Sequence, residues 1–284
     1  MEQTILRKIH HLCILAALIA VALLVTATIL DGKKEWKQYQ KSYRETLLKE
    51  TDPQANPEFY SHVKGMKPEI RQIMVPEFDA VDRCVSCHMG IDDSLFVKAQ
   101  QPLRTHPNLV LLKQHPVENY GCTICHKGQG LATTQKGAGH KALDYLPDSM
   151  FAPALLEARC GFCHKDFRNI GTLKLADGQQ LFQDMHCLGC HKLGGVGGTL
   201  GTDLSFFADK GPEMFDYTYV EGEKTKQNWV IEHFRNPYQI TPGTSMRIYG
   251  FSNYDTEALT TYLLSLTKRT FSAQYQPAPS VVSR

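Results

Sequence analysis

The sequence predicts a mainly α-helical protein with an N-terminal transmembrane helix, a loop-rich middle region with short helices and a C-terminal helical domain. Three observations lead to this fold class. Residues 12–30, LCILAALIAVALLVTATIL, are an uncharged and mostly apolar run. Four Cys-x-x-Cys-His motifs crowd residues 84–191. After them, apolar residues recur at helical spacing over residues 259–266.

The bulk composition is that of an ordinary globular protein. Hydrophobic residues make up 42% of the chain and charged residues 21%. The formal net charge is +2, and the sequence has no basic tract. Composition therefore gives no support to nucleic-acid binding.

The first element is the apolar run 12–30, whose 19 residues would span about 28 Å as a helix, close to a bilayer core of about 30 Å. A cleavable signal peptide is the alternative, because Val25-Thr26-Ala27 is an acceptable cleavage site. We favour an uncleaved anchor, because the run is long for a signal peptide and leads into the helix-like stalk KKEWKQYQKSYRETLLKE. Cys13 in this helix is interpreted as a small hydrophobic residue.

The four motifs are the most specific feature of the sequence. C-x-x-C-H marks the attachment of c-type haem: two thiols add to the vinyl groups of the porphyrin, and the histidine becomes the proximal iron ligand. The expected covalent attachment residues are Cys84, Cys87, Cys122, Cys125, Cys160, Cys163, Cys187 and Cys190. The expected proximal ligands are His88, His126, His164 and His191. The sequence therefore predicts four covalently bound haem c groups.

Zinc sites and disulfides are weaker interpretations of the same cysteines. Zinc ribbons usually place their cysteine pairs about 15–20 residues apart, and neither zinc nor disulfides require a histidine after every pair. The first three motifs start 38 residues apart and the fourth follows after 27. We interpret this spacing as three haem units followed by a different module. In the region of the three haem units, we expect haem to supply much of the core and the protein to form short helices and loops.

The last module resembles class I cytochrome c. The resemblance rests on Gly178 and Phe182 ahead of the motif, a Gly-rich loop after it, and the loop PGTSM before a closing helix. Ser252 and Asp255 form a capping box for that helix. In the family the loop methionine is the distal iron ligand, and Met246 occupies this place. The resemblance implies a His/Met haem, whose reduction potential is higher than that of a bis-His haem.

Histidines outside the motifs are candidates for the distal ligands of the other three haems. We choose His106, His115 and His140, and keep His62 as the fourth candidate. The first two precede prolines, which restrict their backbone, and His140 lies beside a glycine, which allows a close approach to a flat cofactor. Which histidine serves which iron stays open. In compact multihaem folds a distal ligand often comes from a neighbouring haem's segment.

The ligand census favours electron transfer over catalysis, because four six-coordinate irons leave no open position for a substrate. The anchor, the stalk, VDRCVSCHMGI, HPVENYGCTICHKGQG and the class I module together resemble the membrane-bound tetrahaem cytochromes of bacterial quinol-oxidising complexes. The resemblance implies a cytochrome b type membrane partner, other subunits of the complex and a soluble periplasmic acceptor. The protein would then be an electron-transfer subunit of the respiratory chain, without catalysis of its own. The alternatives are a multihaem reductase of a small nitrogen or sulfur oxyanion, with one open haem, and a haem-based sensor.

These expectations divide the chain into five parts. They are the cytoplasmic flank and transmembrane anchor (1–31), a helical stalk and linker (32–80), a trihaem region (81–170), a class I monohaem domain (171–271) and a flexible tail (272–284). Because c-type cytochromes receive their haem outside the cytoplasmic membrane, the resemblance places the haem domain on the periplasmic side of a single-pass anchor.

Overall fold

The computed structural model describes residues 2–141 and 149–271, so the predicted tail lies outside the described residues. The described chain is mainly helical, with an apolar N-terminal helix and a helical C-terminal domain, and the predicted fold class is confirmed. The chain forms two compact units. One consists of Met1–Arg71 and Val85–Leu112, the other of Gln72–Cys84 and Lys113–Arg284.

The first unit begins with three helices: α1 (Glu2–Gly32), α2 (Glu35–Glu50) and α3 (Pro57–Gly65). Among the described residues, one segment, Ile5–Gly32, is long and apolar enough to cross a membrane, and none of its most apolar stretch is buried within the protein. Asp31 at its end forms ion pairs with Lys34 and Lys37. The predicted anchor and stalk are therefore two successive helices joined at a charged turn.

The core of the first unit lies between α2, α3 and the segment after the first motif. Leu47, Val63 and Phe96 are almost completely buried there, and the ring of Tyr43 stacks on Phe96 with centroids 4.8 Å apart. The buried side chain of Gln40 donates hydrogen bonds to the carbonyl oxygens of Glu69 and Ser86 and so joins α2 to these two segments. This packing fixes the segment that carries the second half of the first motif.

The second unit opens with an antiparallel hairpin of β1 (Ile73–Val75) and β2 (Ala80–Asp82), with Val75 opposite Ala80. The short helix α4 (Leu109–Gln114) begins in the first unit and ends in the second, and α5 (Val117–Tyr120) and α6 (Thr123–His126) follow it along the chain. A longer 3₁₀ helix spans Pro153–Phe162. These short elements agree with the loop-rich middle region that the sequence predicts.

The C-terminal domain is built on two crossing helices, α7 (Leu173–Asp184) and α10 (Asn253–Ser265). Between them come the two-residue strands β3 (Lys192–Leu193) and β4 (Val196–Gly197), then α8 (Lys226–Arg235) and α9 (Pro237–Ile240). Leu175, Leu259 and Leu264 are completely buried in the core that these helices enclose. The predicted capping box is confirmed, since Ser252 and Asp255 cap each other's backbone N–H groups at the start of α10.

Candidate haem sites

The second, third and fourth motifs adopt the same backbone turn. In each, the carbonyl of the first cysteine accepts two hydrogen bonds, from the N–H of the second cysteine at 3.2 Å and from the N–H of the histidine at 2.9 Å. The first motif opens with one turn of 3₁₀ helix, Cys84–Ser86. Residues three and four positions apart share one face of a helical turn. The turn therefore sets both sulfurs and the imidazole of a motif on one side, as attachment to a single porphyrin requires.

The fourth motif has a histidine that is oriented for metal binding. Nδ1 of His191 lies 2.8 Å from the carbonyl oxygen of Thr202. Gly201 packs against the ring so closely that a Cβ there would lie 2.5 Å from Cε1. A hydrogen bond that occupies Nδ1 fixes the ring and leaves Nε2 to coordinate, which is the usual arrangement of a histidine ligand. These residues fit a haem iron on the Nε2 side.

Met246 is partly buried and packs against the core of the same domain. Its sulfur lies 3.2 Å from Nε2 of His233, and the ring of that histidine stacks on Trp229 with centroids 4.7 Å apart. Burial and the nearby His191 lower the pKa of His233 to about 4. His233 therefore lies near both the expected proximal ligand, His191, and the expected distal ligand, Met246.

His233 is a candidate functional residue that the sequence analysis does not name. Its Nδ1 lies 3.2 Å from Oγ1 of Thr241. A neutral imidazole that accepts from this hydroxyl at Nδ1 carries its proton on Nε2. The Nε2–H group can then donate a hydrogen bond to the sulfur of Met246. The only signal in the sequence is the position of a histidine on the helix that precedes the methionine loop.

The third motif lies between two apolar clusters. Cys160 packs against the core of the C-terminal domain, and Cys163 packs against a smaller cluster around Val75, Phe78 and Phe271. The ring of His164 faces the ring of His115, with centroids 6.1 Å apart and planes inclined by 70°. Burial, and then the proximity of His115, lower the pKa of His164, which favours the neutral imidazole that metal binding requires.

Asp82 joins the starts of the first and second motifs and was not predicted. This carboxylate is completely buried. Oδ1 accepts from the N–H of Cys84 at 3.0 Å, and Oδ2 accepts from the N–H groups of Cys122 at 2.7 Å and Thr123 at 2.8 Å. Burial raises the pKa of Asp82, but the hydrogen bonds from Cys84, Thr123 and Cys122 outweigh it, and the pKa lies below its usual value.

The carboxylate oxygen and the sulfurs of Cys84 and Cys122 lie within 4.8 Å of one another. Hydrogen bonding with the Cys122 thiol, and then burial, raise the pKa of the Cys84 thiol. The first cysteines of the two motifs are therefore close enough for the cofactors that they would hold to be near neighbours.

The remaining candidate ligands differ in exposure. His106 is partly buried, and His140 is exposed. In both, Nδ1 lies 3.0 Å from a main-chain oxygen, that of Asn108 and that of Gln135 respectively. A hydrogen bond at Nδ1 restrains the ring in each case, as it does in His191. His62, the fourth candidate, is exposed in the last turn of α3.

Comparison with known proteins identifies the C-terminal domain. The cytochrome c family model matches residues 175–267. The chain is also 31% identical over 90 residues to a protein named cytochrome c oxidase subunit 2 from Alkalihalophilus pseudofirmus, and the match covers 31% of this chain. The chain spans only 25% of that relative's length. No solved structure matches. The C-terminal domain is thus a cytochrome c domain, a fold that carries covalent haem c and transfers electrons.

Proposed function

We propose that this protein is a membrane-anchored tetrahaem c-type cytochrome. It passes electrons from a quinol-oxidising module of the cytochrome b type, through three bis-His haems, to a His/Met haem and on to a soluble periplasmic acceptor. The observation that carries the proposal is the recurrence of one backbone turn at the second, third and fourth Cys-x-x-Cys-His motifs, the last of them inside a cytochrome c domain.

The proposed haem-binding residues are divided among four sites. The cysteine pairs would hold the porphyrins by thioether bonds, and the histidine of each motif would be the proximal ligand. His106, His115, His140 and Met246 are the proposed distal ligands. The cofactor supplies one-electron oxidation and reduction of its iron. The protein orients the ligands through the bonds from His191 to Thr202, from His106 to Asn108 and from His140 to Gln135.

The proposed direction of electron flow follows from the ligand types. A methionine ligand raises the reduction potential of a haem relative to two histidines. The neighbouring His233, which also lies near His191, can donate a hydrogen bond to the sulfur of Met246. The fourth site is therefore the proposed high-potential exit of the chain, and the three bis-His sites precede it.

The proposed location rests on α1 and on the chemistry of haem attachment. The segment Ile5–Gly32 has the length and composition of a single-pass anchor. Since c-type haem is attached outside the cytoplasmic membrane, the haem domain would lie in the periplasm. The relative from A. pseudofirmus is named as a subunit of cytochrome c oxidase, and a respiratory setting for this chain agrees with that name.

Purification of the full chain in a mild detergent tests the proposal. We expect the four-haem protein to copurify with a membrane subunit that contains b-type haem, and we expect its reduced haems to bind no CO. A protein that purifies alone, without b-type absorption, would contradict the link to a quinol-oxidising complex. CO binding to a substantial fraction of the reduced haem would instead favour a multihaem reductase with one open iron.

A further inference from the structure

We propose that His115 and His164 are the two axial ligands of one iron. His115, which precedes the second motif, would then be the distal ligand of the haem held by Cys160 and Cys163, and not of the haem held by its own segment. The inference rests on the proposed multihaem function and adds an assignment of one ligand pair.

The first argument is the separation of the two rings. Imidazole nitrogens bind a metal ion at about 2.0–2.1 Å. Two imidazoles on opposite sides of one iron therefore have centroids roughly 6 Å apart, once the distance from each nitrogen to its ring centre is added. The rings of His115 and His164 have centroids 6.1 Å apart. The separation matches that of an axial pair.

The second argument is that the ring of His115 and the residue before His164 pack against members of the same apolar cluster. His164 directly follows Cys163, which packs against that cluster. The ring of His115 meets the edge of Tyr120 with centroids 5.2 Å apart, and Tyr120 packs on Phe78 in the same cluster. Pro116 further restricts the backbone of His115. The two imidazoles are thus fixed relative to each other by packing within one unit.

The third argument is that a hydrogen bond joins the second motif to the residue directly before the third motif. Nε of Arg159 donates to the carbonyl of Ile124, inside the second motif, at 2.7 Å. The guanidinium of Arg159 also lies over the ring of Phe162, 4.0 Å from its centroid. A histidine from the second segment can therefore reach the third iron without distorting either turn.

The pairing has a consequence for the other sites. With His115 bound to the third iron, the haem held by Cys122 and Cys125 needs its distal ligand from another segment than its own. The third haem would then be fixed by residues from two motif segments. Such exchange of ligands keeps neighbouring porphyrins close, as rapid electron transfer requires.

The test is the replacement His115→Gly in the full-length protein, purified in detergent, with His62→Gly as the matched control. Mass spectrometry should still find four covalent haems in both variants. Optical and EPR spectra of His115→Gly should contain one high-spin haem in four, and added imidazole should restore the low-spin state. His62→Gly should match the wild type. An unchanged low-spin spectrum for His115→Gly would overturn the proposal and leave an ordinary edge-to-face ring contact.

Removal of single haems identifies the iron that His115 serves. The high-spin signal of His115→Gly should disappear in a background that lacks the third haem (Cys160→Ser with Cys163→Ser). It should persist in a background that lacks the second (Cys122→Ser with Cys125→Ser). The reverse pattern would overturn the pairing. A wild-type protein with fewer than four haems would instead refute the proposed tetrahaem function, so the two failures are distinguishable.

EPR of the otherwise wild-type protein gives a second readout if the haem-deletion variants do not fold. The planes of the two rings are inclined by 70°. Nearly perpendicular ligand planes leave two iron d orbitals close in energy, which produces a strongly anisotropic low-spin signal. This signal should be present in the wild type and absent from His115→Gly. Its persistence in the variant would contradict the pairing.

Discussion

Replacement of Gly178 by alanine should destabilise the cytochrome c domain, because this glycine lies where α7 crosses α10. A Cβ at position 178 would lie 2.0 Å from the carbonyl oxygen of Ala258 and 3.0 Å from Cβ of Tyr262. Ordinary contacts begin at 3.4 Å. The obstacle is main chain, which cannot move aside as a flexible side chain can. The two helices would have to separate and open the buried core around Leu175 and Leu259.

The magnitude follows from two opposing effects. Overpacking a core costs about 1–3 kcal/mol, occasionally more, and the main-chain clash places Gly178→Ala at the upper end. Alanine recovers about 0.8–1.0 kcal/mol through its better helix propensity. The net loss is about 2 kcal/mol of unfolding free energy. In a domain of this size each kcal/mol lowers Tm by about 4–8 °C, so we expect a decrease of at least about 8 °C.

The assay is a thermal melt of the oxidised protein followed through the absorption band of the methionine–iron bond. Only the proposed fourth haem has this bond, so the band reports on the C-terminal domain alone. Gln183→Ala is the control, since Gln183 is exposed on the same helix. A decrease in Tm below about 4 °C for Gly178→Ala, which corresponds to less than 1 kcal/mol, would refute the predicted steric conflict.

Three further predictions concern Asp82, His233 and the anchor. Asp82→Ala should lower the free energy of unfolding by about 3–5 kcal/mol, because it leaves three part-buried N–H groups without an acceptor. Asp82→Asn should cost less. Equal denaturant midpoints for Asp82→Ala and the wild type would contradict this role. The folded-state pKa of Asp82 is lowered. The carboxylate therefore stabilises the folded protein above about pH 3.9, and this stabilisation is lost as the pH falls through the lower folded-state pKa. Thermal melts of Asp82→Asn should depend less on pH in this range. His233→Phe keeps a ring beside Trp229 but removes the hydrogen-bond donor to Met246. The sulfur then gives more electron density to the iron, so the reduction potential of the His/Met haem should fall in a redox titration. The control Trp229→Phe should shift this potential less. A secreted form without residues 1–31 should appear in the soluble fraction of fractionated cells, and its retention in the membrane would show that α1 is not the sole anchor.

Features encoded by neighbouring residues could be predicted from the sequence. The capping box of Ser252 and Asp255 lies within one helical turn, and the spacing of Leu259 and Leu263 identifies the buried face of α10. The Cys-x-x-Cys-His motif likewise contains its own turn. In these cases the interacting groups are three or four residues apart, so the spacing alone defines the geometry.

Features that depend on distant segments could not be predicted. The contact of His115 with His164 and the bonds from Asp82 to Cys122 and Thr123 join residues that are far apart in the chain. An aspartate near a motif is common, and its sequence position does not reveal that it is completely buried. The contact of His233 with Met246 could not be predicted either, because a count of candidate ligands says nothing of the residues beside them.

The most direct test of the central claim is the number of covalent haems on the purified full-length chain. Intact mass and iron content together should give four haems per chain, each mapped by peptide analysis to one Cys-x-x-Cys-His motif. A chain with haem at Cys187 and Cys190 alone, and with free thiols or bound zinc at the other three motifs, would contradict the claim.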